Sequence, residues 1–108
     1  MRRRSGNKLE TVIACLRRFD PLRVYLFGSW ARGEEDELSD LDLVVIMNTQ
    51  IPFLERPLEI SRSLPLEVGA VDLLVYTPDE WEKMRREGNA LAETVLGEGR
   101  IIHEQAQR

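Results

Sequence analysis

The residues best equipped for chemistry fall in two short runs and one isolated acid. Gly28-Ser29-Trp30-Ala31-Arg32-Gly33 is followed by Ser39-Asp40-Leu41-Asp42-Leu43-Val44-Val45, and Asp72 interrupts the otherwise apolar run Gly69–Tyr76. A Gly-Ser turn offers backbone N–H groups and a hydroxyl to phosphate oxygens, with no side chain in the way at the glycine. An Asp-x-Asp at the start of a strand projects both carboxylates to one face, because side chains alternate along a strand. Oxygen-only acids, with no thiolate or imidazole beside them, suit Mg2+ or Mn2+ better than zinc. Phosphate turn and carboxylates together point to metal-assisted chemistry on a nucleoside triphosphate. Asp40, Asp42 and Asp72 are the expected metal ligands and catalytic acids. Gly28, Ser29 and Arg32 are the expected nucleotide-binding residues.

Repulsion gives the acids their weight. Carboxylates two apart in a strand lie about 5 Å from one another and repel by about 3 kcal/mol at an effective dielectric of about 20. Whole domains are stable by only about 5–15 kcal/mol, so a trio of acids is costly without a cation. Asp72 is unfavourable in an apolar strand unless it is paired or coordinated. A buried arginine partner is the alternative to a metal there. Asp40 alone could cap a strand start beside Ser39, which leaves Asp42 and Asp72 unexplained. Arg32 is either a triphosphate donor or a surface partner of Glu35 or Asp36. Trp30 is either a cover for a nucleobase or a core residue.

These parts meet only under a particular topology. The strand 22–27 ends at the Gly-Ser turn and the strand 40–47 begins at Asp40, so the two must run antiparallel. The strand 68–76 must return parallel to the second, through a crossover helix over 53–64 that Pro57 breaks or bends. Residues 7–19 pattern as an amphipathic helix with Leu9, Val12, Ile13 and Leu16 on one face, stopped by Asp20-Pro21. Cys15 shares that pattern and is expected buried and unreactive. Ser29 caps a short helix released at Gly33, and the acidic stretch 34–38 reads as a solvated, mobile loop. Thr77-Pro78-Asp79-Glu80 is a helix start; that helix turns Trp81 and Met84 inward and ends near Gly88. A second piece covers 90–96, and 100–103 offers a short edge strand. Residues 1–6 are expected to form a disordered tail. The sum is a single α/β domain with a mixed central sheet of three main strands, an optional short fourth, and flanking helices.

Gly28-Ser29, ten intervening residues, Asp40-Leu41-Asp42 and a later Asp72 together resemble the nucleotidyltransferase superfamily that includes DNA polymerase beta. Gly-Ser-x-Ala-Arg-Gly followed by Ser-Asp-x-Asp-Leu is similar to its smallest members, the minimal nucleotidyltransferase (MNT) proteins. The resemblance runs over most of the chain and implies the small nucleotidyltransferase fold. It implies transfer of a nucleoside monophosphate, foremost AMP from ATP, to a hydroxyl acceptor as pyrophosphate leaves. It also implies two Mg2+ ions bridged by Asp40 and Asp42, one of them shared with Asp72. A partner is implied as well. MNT proteins are commonly encoded beside a helical HEPN-domain protein, often a toxic ribonuclease, and can act as antitoxin by placing AMP on a tyrosine of that partner. Two other readings stay open: a module that binds nucleotide but neutralises its partner by contact alone, and an antibiotic-type small-molecule transferase.

Composition narrows the setting. A net charge of −4 and a pI near 5.1 give no basic footprint for nucleic acid. Arg2-Arg3-Arg4 reads as a solvated end. No signal peptide or membrane span is expected, and the single Cys15 excludes an internal disulfide and fits the cytoplasm. His103 has no metal-binding companions and is expected at the surface. With 108 residues there is no room for an acceptor-gripping domain, so the acceptor is small or brings its own binding surface.

Overall fold

The computed structural model describes residues 4–33 and 40–105. Four strands, β1 Arg23–Phe27, β2 Leu41–Ile46, β3 Val71–Tyr76 and β4 Arg100–Glu104, form one sheet in the order β3-β2-β1-β4. β1 runs antiparallel to β2, and β2 runs parallel to β3, as convergence of the acids requires. The optional fourth strand is formed, antiparallel to β1, with a register shift opposite Val24 and Tyr25. β2 is buried on both faces: Leu41, Leu43 and Val45 belong to one core, Val44 and Ile46 to the other. A strand in that position must be apolar nearly throughout, and Asp42 is the exception at its beginning.

Helix α1 (Arg4–Leu16) continues as a 3-10 turn to Phe19 and brings Val12 and Leu16 onto the first core. It stops where Asp20 enters the left-handed region at φ 55° and its N–H donates to the Arg17 carbonyl. Aspartate tolerates that conformation better than most residues. The short α2 is Ser29–Arg32 and α3 is Arg56–Ser61. Helices α4 (Pro78–Arg86) and α5 (Ala90–Glu98) serve the other core through Trp81, Ala92 and Val95. The Thr77 hydroxyl accepts from the Glu80 N–H at 3.2 Å while Glu80 Oε1 accepts from the Thr77 N–H at 2.8 Å. This reciprocal cap satisfies two donors that a helix start otherwise leaves unpaired.

Several boundaries differ from the sequence reading. α1 begins at Arg4, so residues 4–6, expected in a disordered tail, are helical; residues 1–3 and the acidic stretch 34–38 lie outside the described residues. The crossover is a 3-10 turn Phe53–Glu55 and then α3, a helix of six residues. Pro57 sits in the first turn of α3, where its missing N–H costs nothing; the crossover is broken just before it, between Glu55 and Arg56. β3 begins only at Val71, because Leu66–Val68 form a 3-10 turn and Gly69 takes φ 72°. His103, expected at the surface, is partly exposed in β4 opposite Val24. Cys15 is buried as expected.

Arg56, which the pattern of the chain did not mark, ties this end of the molecule together. It is buried, and its Nε donates to the Ile51 carbonyl at 2.7 Å and its Nη1 to the Val75 carbonyl at 3.0 Å. Its guanidinium also meets both carboxylate oxygens of Glu80, at 2.7 and 3.2 Å. The Arg56 hydrogen bonds hold the Glu80 carboxyl below the usual glutamate range, against the opposing effect of burial. Glu80→Gln should lower stability by about 1–2 kcal/mol at neutral pH, the size of a weakened charged hydrogen bond. The gap from the parent should close in acid. A depressed carboxyl contributes stability above its unfolded value, 4.5 for glutamate, and loses it as the pH falls through the lower folded value. Denaturant melts of both chains at neutral and acid pH measure this.

Candidate active site

Two strand registers meet at one residue. The parallel pairing sets Asp42 directly opposite Asp72, and the antiparallel pairing sets it opposite Phe27, the residue before Gly28. Asp42 is partly buried, while Asp40 and Asp72 are exposed at the same end of the sheet. The Asp42 carboxyl is pushed above the ordinary aspartate range. Burial is the first cause, a hydrogen bond with the Asp72 carboxyl and that group's charge come next, and the charge of Asp40 follows; the Arg32 guanidinium pulls the other way. Two carboxyls can hydrogen-bond only when a proton lies between them. Among the described residues no three His, Cys, Asp or Glu side chains stand together as a ready metal cage. The close contact is the Asp42–Asp72 pair, and Asp40 acts on it through space.

The Gly-Ser turn lies against the same carboxyl. Gly28 takes φ 78° and ψ −155°, and a Cβ added there would come within 2.3 Å of Asp42 Oδ2. No other residue fits that position. The Gly28 carbonyl accepts from the N–H groups of Ala31 and Arg32 at 3.1 and 3.2 Å, which winds Ser29–Arg32 into α2. Gly33 ends the turn at φ 74°. Trp30 is buried in the first core with Lys8 Nζ 5.5 Å from its ring centroid; it is a core residue and does not stand over the site.

Arg32 is exposed and lies 3.9 Å from Glu98 at the end of α5, close enough to the acids for its charge to be felt at Asp42. The surface partners weighed for it, Glu35 and Asp36, lie outside the described residues. Glu98 carries no sequence signal that would have marked it. The buried arginine considered as a partner for Asp72 exists as Arg56, and it is paired with Glu80 instead.

The family profile described as "Polymerase beta, Nucleotidyltransferase" matches residues 10–108. The chain belongs to that family. No curated protein is significantly similar in sequence. Among solved structures, a toxin–antitoxin crystallised with AMP-PNP is 26% identical, with a TM-score of 0.63, over 94% of this chain and 74% of that one. The toxin–antitoxin MntA–HpeT, in mutant form, is 23% identical with a TM-score of 0.60, over 92% and 74% of the two chains. A protein from Sulfolobus solfataricus, described as a candidate nucleotidyltransferase, is 20% identical with a TM-score of 0.57, over 93% and 86%. The nucleotidyltransferase fold inferred from the motifs is thus the fold observed, and the resemblance to minimal nucleotidyltransferases agrees with these neighbours.

This geometry makes two predictions for the metal-free nucleotidyltransferase. Asp42→Asn should raise the melting temperature in chelator at neutral pH, because the amide keeps a hydrogen bond to Asp72 without a second charge. The raised carboxyl contributes stability below its unfolded value, 3.8 for aspartate, and loses it as the pH rises through the folded value. The advantage of the variant should therefore vanish in acid. Gly28→Ala should cost about 1–3 kcal/mol from backbone strain and contact with Asp42. Adding Asp42→Ala should return part of that loss, which a double-mutant cycle of denaturant melts reads directly.

Proposed function

We propose that this nucleotidyltransferase is Mg2+-dependent and moves AMP from ATP to a hydroxyl of a protein partner, foremost a tyrosine of a HEPN-type toxin, and so acts as its antitoxin. The observation that carries the reading is the contact of one carboxyl, Asp42, with both Asp72 and the space that only glycine leaves at position 28. The donor set fits a hard divalent cation: carboxylate oxygens, one pair already close enough to share a proton, and a third, exposed acid at Asp40 able to turn toward them. Bound there by Asp40, Asp42 and Asp72, Mg2+ supplies charge neutralisation for the triphosphate and the incoming oxygen. Gly28 leaves room for the phosphates and Ser29 supplies a hydroxyl. Arg32 contributes a fixed positive charge beside them.

In the reaction a bond forms between the acceptor oxygen and the α-phosphorus, and the bond to the pyrophosphate oxygen breaks. Asp72, exposed at the start of β3, would take the hydroxyl proton. The solved neighbours support this reading, since two are toxin–antitoxin structures and one contains AMP-PNP.

The test is incubation with labelled ATP, Mg2+ and the protein encoded by the adjacent reading frame. The partner should carry the label. Asp40→Asn, Asp42→Asn and Asp72→Asn should each reduce labelling by about a hundredfold or more, as loss of transition-state charge stabilisation does. Ser29→Ala should weaken ATP binding by about 1 kcal/mol, one hydrogen bond. A pair that assembles while no nucleotide moves would leave neutralisation by contact as the function.

A further inference from the structure

β3 stands at one end of the strand order and, among the described residues, pairs with β2 alone. Two hydrogen bonds decide which of its peptide groups face the open side. The Leu41 N–H donates to the Ala70 carbonyl, and the Met47 N–H donates to the Tyr76 carbonyl. Alternate residues of a parallel strand bond to the same neighbour. The peptide groups of Asp72 and Leu74 therefore turn toward β2, and those of Val71, Leu73 and Val75 turn outward. The Val75 carbonyl is covered by Arg56 Nη1 at 3.0 Å. The outward groups of Val71 and Leu73 flank Asp72.

The borders of this edge are apolar. α3, which packs against β3, shows Leu58 at 56% exposure, and Leu54 before it is 82% exposed. Leu66, in the turn that leads into β3, is 97% exposed. On the Asp72 face a groove runs beside Tyr76, between Phe53 and Met84, rimmed by Glu80, Glu87 and Lys83. It begins about 13 Å along the strand from Asp72, four residues at about 3.3 Å each. Proteins normally blunt an exposed edge with charge, proline or a covering element. Here the blunting is at Val75, and the stretch beside the acid is left as a template with apolar flanks.

We infer that the edge of β3 receives an extended segment of the acceptor protein, which adds as a strand beside Val71 and Leu73 and carries its hydroxyl side chain past Asp72. This rests on the transfer to a protein hydroxyl proposed above. Backbone hydrogen bonds supply the register. Side chains of the added strand alternate between the two faces. Those on the Asp72 face meet Tyr76, Met84 and a rim of Glu80, Glu87 and Lys83, whose net negative charge favours apolar and basic residues. Those on the other face lie toward α3 with its exposed Leu58, and Leu54 before it.

Amide hydrogen exchange of the full chain, alone and with the protein encoded by the adjacent reading frame, tests this. In the free chain the Val71 and Leu73 amides should exchange at least about tenfold faster than those of Asp72 and Leu74, and on complex formation they should slow by at least about tenfold. Val71→Pro removes an outward donor without touching the ladder to β2. It should weaken the complex about tenfold or more and suppress labelling, with ATP–Mg2+ binding unchanged. A complex that leaves the two amides unprotected overturns the inference. So does protection in the isolated chain at a dimeric mass, which would give the edge to a second copy. Protection without nucleotide transfer would overturn the transfer reading and leave the edge site standing; transfer without protection would do the reverse. The absence of any complex would end both.

Discussion

A carboxylate cannot be partly buried, ionised and next to another carboxylate without something to balance it, and the site is built around Asp42 held in that position. Burial and the facing Asp72 both favour its neutral form. Arg32 offers partial compensation from the exposed side, and it is itself shared with Glu98. The balance is therefore incomplete, and a divalent cation with a triphosphate would complete it. Burial and the facing carboxyl favour the neutral form of Asp42, and bound metal charge would favour the ionised one.

Holding Asp42 there is the work of the sheet. β2 is buried on both faces, so it cannot rotate or slip without exposing Leu43, Val44 and Val45 together; a slip of one residue would exchange its faces. β1 delivers Gly28 through the Phe27–Asp42 pairing, and β3 delivers Asp72 through the next. At the opposite end of β3, Arg56 bonds Ile51, Val75 and Glu80, which fixes the crossover and α4 to the strand. One end of the sheet is thus closed by satisfied polar contacts, and the other carries acids whose contacts are unfinished. A scaffold stable enough to tolerate that repulsion is what a site of this kind requires.

Much of this was legible in the chain because the acids constrain topology. Convergence of Gly28, Asp42 and Asp72 demanded an antiparallel and then a parallel pairing, and Thr77 through Glu80 announced a capped helix by local chemistry alone. The register was not legible. The same-strand pair Asp40 and Asp42 drew attention by spacing, yet the close contact is across strands, and pairing partners depend on the whole sheet. Nothing in the local pattern marks Arg56; the packing of α3 against β3 and the pairing with Glu80 bury it. Pro57 marked the break in the crossover, but not that the part before it would wind as a 3-10 turn. Gly69 shortened β3 because a positive φ is decided by the turn before it, which hydrophobic pattern does not encode.

The central claim is that Asp40, Asp42 and Gly28-Ser29 form one site for a metal–nucleotide pair. Isothermal titration of ATP into the parent and into the Asp40→Asn/Asp42→Asn double variant, each with Mg2+ and with chelator, tests it most directly. The account predicts binding to the parent in Mg2+, at least about tenfold weaker binding in chelator, and no Mg2+ dependence in the variant. Equal Mg2+-dependent binding by parent and double variant would contradict it.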